Sequence, residues 1–317
     1  MKIFCFVLVT LAALSACSGK SGQKQDVKKG ISVVTTIFPP FDFVRSVAGT
    51  PAGNKTEGIQ LTMLLKPGSE SHSYEPTPQD IITIQNCDVF IYVGGESDDW
   101  VNRVLNSLDK PKMKIVTLMD CVELVEEEIV EGMEVEEEEE EKAYDEHVWT
   151  SPRNAKLIVQ KIAGVLCEVD AANAARYRIN MNAYLRELDA LDAAFREIVR
   201  EGSGDTLIFA DRFPFRYFTE TYGLKYYAAF PGCSTETEPS AATVAFLINK
   251  VRAEKIPVVF TIEFSNGRMA DAVTEASGAE KRLFHSAHNI SRDELAAGVH
   301  YLGIMRQNTE ALRAALR

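Results

Sequence analysis

Short runs of β-branched and apolar residues alternate with longer amphipathic stretches along most of this chain. Strands are predicted in the first half at residues 31–37, 61–65, 89–93 and 115–118, and in the second half at 206–210, 223–229, 258–262 and 281–284. Helices are predicted between them, at 41–48, from 77 onward, 100–108, 213–222, 240–254, 267–277 and 295–316. This alternation predicts an α/β fold with mostly parallel sheets, in which ligand loops lie at the carboxyl ends of the strands.

The pattern changes between the two halves, where apolar residues recur at helical spacing from Pro152 to about Glu201. A break is predicted near Val169 and Asp170. The second part, residues 171–201, spans roughly 45 Å as a helix. We therefore expect two similar lobes, residues 31–170 and 202–317, joined by one long backbone helix with a ligand cleft between them. The first lobe would carry an acidic loop at residues 123–144.

The first residues resemble an export signal. Lys2 gives a positive start, and the apolar run that follows is too short for a permanent membrane span. Leu14-Ser15-Ala16-Cys17 is similar to a bacterial lipobox, which predicts cleavage of residues 1–16 and a lipid on Cys17. Residues 17–30 form a polar tether. We expect an extracytoplasmic protein anchored to a bacterial membrane; an ordinary secretory signal is the alternative.

Net charge and cysteine spacing exclude further classes of protein. The 317 residues carry a formal net charge of -12, which argues against electrostatic nucleic-acid binding. Much of this charge lies in the acidic loop, which is either a solvated insert or a means of concentrating cations. Cys87, Cys121, Cys167 and Cys233 show no CxxC spacing, so a zinc–thiolate site is not predicted. The sequence leaves open whether two of these cysteines form a disulfide.

The stretch Asp145-Glu146-His147-Val148-Trp149-Thr150-Ser151-Pro152 is the clearest candidate for chemistry. It places a histidine beside two carboxylates and directly before a helix. Ser151 is expected to cap that helix, and Pro152 suits its first position. A plain surface histidine in a loop is the alternative interpretation.

Two further histidines, His72 and His285, follow predicted strands at the ligand-binding edge of the sheets. Neutral imidazole suits Zn²⁺, so three such residues with a carboxylate predict a tetrahedral site held by loops. Glu263, after the strand at 258–262, is the candidate carboxylate. His288 is expected beside the site, and His300 is expected on the last helix as a surface or packing residue.

At these residues the chain resembles the solute-binding lipoproteins of zinc and manganese ABC transporters. Leu65-Lys66-Pro67-Gly68-Ser69-Glu70-Ser71-His72-Ser73-Tyr74-Glu75-Pro76-Thr77-Pro78 is similar to the first ligand loop of that family, and the stretch around His147 to the second. Glu236-Thr237-Glu238-Pro239-Ser240 also resembles a family segment. The resemblance covers the whole mature chain. It implies two lobes, a rigid backbone helix, one metal in the cleft and delivery to the membrane permease of an ABC importer.

Two positions depart from the family pattern. The resemblance places the third ligand at Arg212, which cannot ligate a cation, and the fourth, usually an aspartate, at His285. The expected metal ligands are therefore His72, His147, His285 and Glu263. The expected neighbours in the cleft are Arg212, Asp211 and His288. Three imidazoles favour Zn²⁺ as the bound metal, with Mn²⁺ or Fe²⁺ as alternatives.

The expected function is capture of a divalent metal by a monomeric binding protein that is not an enzyme. A binding protein for a metal chelate or other anion, with Arg212 as the contact, is the first alternative. An extracytoplasmic metalloenzyme with Glu263 as its base is the second, although the sequence carries no HExxH motif.

Overall fold

The computed structural model describes residues 1, 30–49, 55–56, 58–69, 74–108, 112–133, 143–234 and 239–317. Several sites of the sequence analysis fall outside these residues. They are Cys17, His72, Glu236 and Glu238, together with residues 2–16 of the expected signal, most of the tether and the glutamate-rich residues 134–142.

The first lobe is built on a five-stranded sheet. Its strands are β1 (Ile31–Thr35), β2 (Lys55–Thr56), β3 (Ile59–Met63), β4 (Val89–Tyr92) and β5 (Lys114–Thr117). The order is β2-β3-β1-β4-β5, and every pairing is parallel except that of β2 with β3. The short antiparallel β2 was not predicted, because two residues carry no periodic signal.

Three helices belong to this sheet: α1 (Phe38–Ala48), α2 (Pro78–Gln85) and α3 (Asp99–Asn106). The prediction that α1 starts at residue 41 is wrong. Pro39 and Pro40 lie in its first turn, where a missing N–H leaves no helical hydrogen bond unmade. α2 begins with a capping box, in which Thr77 Oγ1 accepts from the Asp80 N–H and the Thr77 N–H donates to Asp80 Oδ2 at 2.9 Å.

Two long helices follow, α4 (Pro152–Val169) and α5 (Ala174–Glu201), separated by the predicted break. α5 has 28 residues and therefore spans roughly 42 Å. It packs against α1 and α4 of the first lobe. Its buried face carries aromatic and leucine side chains at helical spacing, including Tyr184, Leu188 and Phe195. This is the backbone helix that the sequence predicts.

The second lobe repeats the parallel arrangement. Its strands are β6 (Thr206–Phe213), β7 (Lys225–Pro231), β8 (Val258–Thr261) and β9 (Glu280–Leu283), in the order β7-β6-β8-β9 with all pairings parallel. Its helices are α6 (Arg216–Tyr222), α7 (Ala241–Glu254), α8 (Arg268–Ser277), α9 (Arg292–Ala296) and α10 (Tyr301–Ala315). The predicted α/β fold with two lobes on one long helix is confirmed.

The end of the chain differs from the prediction. One helix was expected over residues 295–316, but Gly298 adopts a left-handed φ of 77° and separates α9 from α10. His300 is the residue that precedes α10, so its expected position on the last helix is wrong. α10 packs back against α5 and α1, which joins the end of the chain to the first lobe.

The start of the acidic loop is attached to the second lobe at several points. Residues 122–133, which we call the crossing segment, lead from the first lobe onto the second. Glu127 accepts a hydrogen bond from the Cys233 N–H at 3.0 Å, and Arg216 forms an ion pair with Glu128 at 3.1 Å. Met133, where the crossing segment ends, is only 8% exposed. This part of the loop is therefore held on the second lobe, although its other glutamates stay exposed to solvent.

The four cysteines that the structure describes, Cys87, Cys121, Cys167 and Cys233, are free thiols. Cys87 is buried, as expected, whereas Cys167 is only half-buried. Within the described part of the chain, the search for a helix of bilayer-spanning length and apolarity finds none.

Candidate metal centre

A cavity lies between the two lobes, at the carboxyl ends of the strands. Its empty space is ≈ 350 Å³ including the part open to solvent. His147 and Ser69 line it from the first lobe, and Arg212, Glu263 and His288 line it from the second. The chain therefore brings two of the predicted histidines, the predicted carboxylate and the arginine to one place.

His147 is held by its own neighbours in the sequence. Its backbone N–H donates to Asp145 Oδ1 at 2.8 Å, and its carbonyl accepts from Thr150 Oγ1, also at 2.8 Å. The residue is fully buried, and Asp145 Oδ1 lies 3.4 Å from its Nδ1. Such a carboxylate contact orients the imidazole and leaves Nε2 as the nitrogen for a ligand.

The helix after His147 starts as predicted in one respect and not in another. Pro152 occupies the first turn of α4, which confirms its expected role. Ser151 makes no side-chain capping bond, so that prediction is wrong. Its hydroxyl instead bonds with the Thr221 hydroxyl at 2.9 Å, because α6 of the second lobe packs against this turn.

His288 faces His147 across the cavity. The two ring centroids are 5.2 Å apart with an interplanar angle of 84°. Trp149 completes the group, with its ring centroid 5.4 Å from that of His147 and 4.9 Å from that of His288. The two imidazoles come from opposite lobes, so one small cation between them would bind both lobes at once.

Glu263 organises the loop that carries His288. Its carboxylate accepts from the Ser286 N–H at 2.8 Å, from the Ser286 hydroxyl and from the His288 N–H at 3.1 Å. His285 Nδ1 lies 3.3 Å from Glu263 Oε2. Burial alone would raise the pKa of Glu263, but His285 and the Ser286 hydrogen bonds lower it to about 2. This carboxylate is therefore ionised and already surrounded by donors.

His285 lies behind this carboxylate. Among the described residues, it is not one of those that line the cavity. Its backbone is fixed by Asn308, whose Oδ1 accepts from the His285 N–H at 2.9 Å and whose Nδ2 donates to the His285 carbonyl at 2.8 Å. Burial would lower the pKa of His285, but the Glu263 charge raises it. Its assignment as a ligand stays a prediction.

Arg212 reaches the cavity from the end of β6. The register of β6 against β7 shifts between Phe209 and Arg212, which turns the strand end toward the cleft. Arg212 Nη1 donates to the Ser234 carbonyl at 3.3 Å. The Asp211 carboxylate accepts from the N–H groups of Arg212 and Ile262, which both line the cavity. Arg212 itself lines the cavity, and the role of Asp211 beside it stays a prediction.

Two residues at the cavity adopt a left-handed backbone without being glycine. Phe264 has φ 61° and follows Glu263; Ala287 also has φ 61° and precedes His288. Such conformations cost of order 1–3 kcal/mol and persist only where surrounding contacts enforce them. At Ala287 those contacts are the hydrogen bonds to Glu263 from the residues on either side. The strain places the His288 ring at the cavity.

Hydrogen bonds join the two lobes around the site. Trp149 Nε1 donates to the Ser286 carbonyl at 2.8 Å. Asn289 Nδ2 donates to the carbonyls of Lys66 at 2.9 Å and Ser69 at 2.8 Å, so the described start of the first ligand loop is fixed on the second lobe. The sequence analysis did not select Ser286 or Asn289; the concentration of polar residues directly after β9 was the signal available.

Three carboxylates act electrostatically on His147. Burial opposes protonation of His147, but Asp145, Glu146 and Glu127 outweigh it and raise its pKa. Glu146 Oε1 accepts from the Ser97 N–H at 2.9 Å, and burial raises the pKa of Glu146. Glu127 was missed by the sequence analysis, because it was one of many glutamates in an apparently solvated loop.

The two imidazoles at the cavity are suitable ligands for a transition metal, but they are only part of a complete ligand set. Imidazole nitrogen is a preferred ligand of Zn²⁺. In the part of the chain that the structure describes, no three His, Cys, Asp or Glu side chains group as a complete metal site. His72, the remaining candidate from the first ligand loop, lies outside that part.

Two α/β lobes on a rigid helix, with a histidine-lined cavity between them, define a solute-binding protein of the type that captures a cation. Comparisons with known proteins agree with this class. The family described as the periplasmic component A of the zinc-uptake complex (ZnuA) matches residues 33–315. The chain belongs to this family.

Individual relatives support the assignment. The zinc-binding lipoprotein AdcA of Streptococcus pneumoniae is 31% identical over 99% of this chain, and the high-affinity zinc uptake system protein ZnuA of Bacillus subtilis is 30% identical over 98%. The chain spans 61% of the length of AdcA and 95% of that of the Bacillus protein.

Solved structures show the same fold. The Zn(II)-bound ZnuA-like domain of pneumococcal AdcA superposes with a TM-score of 0.74 at 27% identity, covering 90% of this chain and 99% of that domain. The metal-dependent lipoprotein YcdH of Bacillus subtilis gives a TM-score of 0.75 at 27% identity, covering 90% and 100%.

Proposed function

We propose that this chain is the extracytoplasmic binding component of an ABC importer, which captures Zn²⁺ and delivers it to a membrane permease. The observation that carries the proposal is the pair of imidazoles, His147 and His288, which face each other from opposite lobes at 5.2 Å between ring centroids. The names of the relatives, a zinc-binding lipoprotein and a zinc uptake protein, support the choice of metal.

The ligand set we propose follows the geometry. His147 and His288 bind the metal, with His72 of the first ligand loop as the third imidazole. Glu263 carries the negative charge at the cavity wall and holds the His288 loop in place. The Glu263 oxygens, and the imidazole nitrogens of His285 behind them, enter the ligand set only if the loop rearranges.

We further propose that Cys17 carries a lipid that holds the protein at the outer face of the membrane, and that the protein binds metal without catalysing a reaction. Replacement of Cys17 by Ser should release the protein from the membrane fraction while zinc binding in detergent extracts is unchanged. Retention in the membrane fraction would contradict the anchor.

Thermal unfolding of the full-length protein, purified in detergent and stripped of metal, tests the metal-binding proposal. Zn²⁺, Mn²⁺ and Fe²⁺ are added in turn. A ligand that binds only the folded state stabilises it by about 4 kcal/mol at a thousand times its Kd. We expect the largest rise in midpoint with Zn²⁺.

Two variants and a control locate the site. His147→Ala and His288→Ala should each lose most of the zinc-dependent rise. His300→Ala removes an exposed histidine at the start of α10 and should keep it. A full zinc response in His147→Ala would overturn the assignment of the site.

A further inference from the structure

Phe264 combines two features that rarely occur in one residue. Its backbone is left-handed, with φ 61°, and the residue is 50% exposed. A left-handed conformation is an outlier for a bulky side chain, because its Cβ crowds the neighbouring backbone. A half-exposed ring gains only part of the free energy of burial that would offset this cost. The conformation is therefore imposed by the surrounding loop.

The residues on either side of Phe264 are held by Asp211, near the end of β6. The Asp211 carboxylate accepts from the Ile262 N–H at 3.5 Å, and the Ser265 hydroxyl also hydrogen-bonds to it. Ser265 Oγ accepts in turn from the Gly267 N–H at 3.2 Å, just before α8 begins. The loop is thus fixed before and after Phe264, and these contacts enforce its strained backbone.

The same arrangement recurs one strand further along the sheet. Glu263, at the end of β8, accepts from the N–H groups of the residues on either side of left-handed Ala287, and this places the His288 ring at the cavity. β6, β8 and β9 are neighbours in the sheet, so each carboxylate fixes the loop that follows the adjacent strand. By this comparison, the contacts of Asp211 serve to place the side chain of Phe264.

That side chain lies at the mouth of the cavity. Phe264 lines the cavity together with His147, Glu263 and His288, and half of it is exposed as well. Of the described residues that line the cavity, it is the one large apolar side chain exposed to solvent. A phenyl ring offers no ligand to a metal and no hydrogen bond to water. What it can do at this position is exclude water and solutes from the cavity.

We propose that the Phe264 ring covers the mouth of the metal cavity and slows the loss of a captured metal. This inference rests on the proposed zinc-binding function. A bound metal is lost when water or a competing ligand reaches its coordination shell, and a ring in that path has to move first. The ring acts without contacting the metal, so it changes the rate of loss through solvent access.

A purely structural role is the alternative. In that case the left-handed backbone at Phe264 only turns the chain after Glu263, and the ring itself has no effect on the metal. The two roles can be separated, because asparagine adopts the left-handed conformation readily. Phe264→Asn therefore keeps the turn and removes the ring, whereas Phe264→Tyr keeps an aromatic ring at the same place.

The rate of zinc loss from the loaded protein tests the proposal. Full-length protein in detergent is loaded with equimolar Zn²⁺ and mixed with an excess of a chromogenic chelator, whose colour reports the zinc released. We expect Phe264→Asn to lose zinc about tenfold faster than the wild type. Its midpoint of thermal unfolding without metal should stay close to that of the wild type. Phe264→Tyr should lose zinc at the wild-type rate.

Lys255 supplies the matched control. It is also exposed and left-handed, with φ 54°, but it follows the end of α7 and precedes β8. It therefore lies at the amino ends of the strands, whereas the cavity lies at their carboxyl ends. Lys255→Asn makes the same kind of replacement at that distant position, and it should leave the rate of zinc loss unchanged.

The outcomes separate the two proposals. A wild-type rate of zinc loss in Phe264→Asn overturns the cover and leaves the zinc function standing. Equally fast loss in Phe264→Tyr, or in Lys255→Asn, also overturns it, because the effect would then not depend on a ring at the cavity. Failure of the wild type to take up zinc overturns the proposed function itself.

Discussion

The loops that carry His147 and His288 position similar rings by different means. His147 is fixed by residues two and three positions away, through Asp145 and Thr150. His288 is fixed by Glu263, which lies 25 residues earlier at the end of another strand, and by a left-handed backbone at Ala287. One half of the site is therefore local in sequence, and the other half exists only after the second lobe has folded.

This difference predicts unequal costs of damage. At the His147 loop, the Asp145 carboxylate accepts one backbone hydrogen bond, from His147, and lies 3.4 Å from the His147 Nδ1. At the His288 loop, Glu263 accepts three hydrogen bonds and lies 3.3 Å from the His285 Nδ1. Removing a buried group leaves its former partners unsatisfied, so the cost grows with their number.

Glu263→Ala should therefore be the most damaging single change. We expect a loss of about 3–5 kcal/mol in the free energy of unfolding, because His285 and the donors of Ser286 and His288 lose their buried partner. Asp145→Ala should cost about 1–3 kcal/mol. Urea unfolding of both variants measures the difference. Equal losses would show that the two loops are held alike.

Asp98 sharpens the comparison, since it lies behind the His147 loop and near Glu146. Burial raises its pKa from 3.8 to about 7, although the Val93 and Gly94 N–H groups lower it and Glu146 adds to the rise. The folded state thus holds a proton on Asp98 that the unfolded state loses above pH 4. This group makes stability fall as pH rises from about 4 to about 7, and the loss persists at higher pH.

Asp98→Asn should remove that dependence, because its amide oxygen can still accept from Val93 and Gly94. Between pH 5 and pH 8, the wild type should lose roughly 2 kcal/mol more stability than the variant. Urea unfolding across this pH range measures the difference. Parallel pH profiles for the two proteins would contradict the raised pKa.

Tyr217 tests one of the long-range supports of the loop that carries His147. Its hydroxyl donates to the Asp145 carbonyl at 2.8 Å and accepts from the Val125 N–H at 3.3 Å. Tyr217→Phe should cost about 1 kcal/mol and weaken zinc binding a few-fold, because the crossing segment and the Asp145 turn lose a shared bond. Tyr226→Phe is the matched control. Its hydroxyl donates to the exposed Glu128 carbonyl across a long 3.4 Å, in the part of the chain that the structure describes, so zinc binding should not change.

The same contrast explains what the sequence could predict. His147 was selected from its neighbours, and the structure places it in the cavity. The presence of eight strands in mostly parallel sheets, and the backbone helix, followed from periodicity, whereas the order of the strands in each sheet did not. The placement of His288 in front of His285 did not, because it depends on a hydrogen-bonded turn around Glu263 and on strain at Ala287. Neither feature can be detected from the local composition of the sequence.

The prediction for the crossing segment was incomplete for a related reason. Its glutamates indicated a solvated loop, yet Glu127 bonds to the second lobe and Met133 is buried. Charge density in a sequence reports average exposure and says nothing about individual contacts between lobes. Serine likewise often caps a helix, but the Ser151 hydroxyl bonds with the Thr221 hydroxyl of the other lobe instead.

The position of Trp149 gives the protein an internal optical reporter. The chain contains two tryptophans, and the indole of Trp149 contacts both imidazoles of the cavity. Trp100 packs on Tyr74 in the first lobe, which makes it a steady background. Because a protonated imidazole quenches a neighbouring indole, exchange of that proton for a metal should change the emission of Trp149. Loading and release could then be followed in real time, without a label.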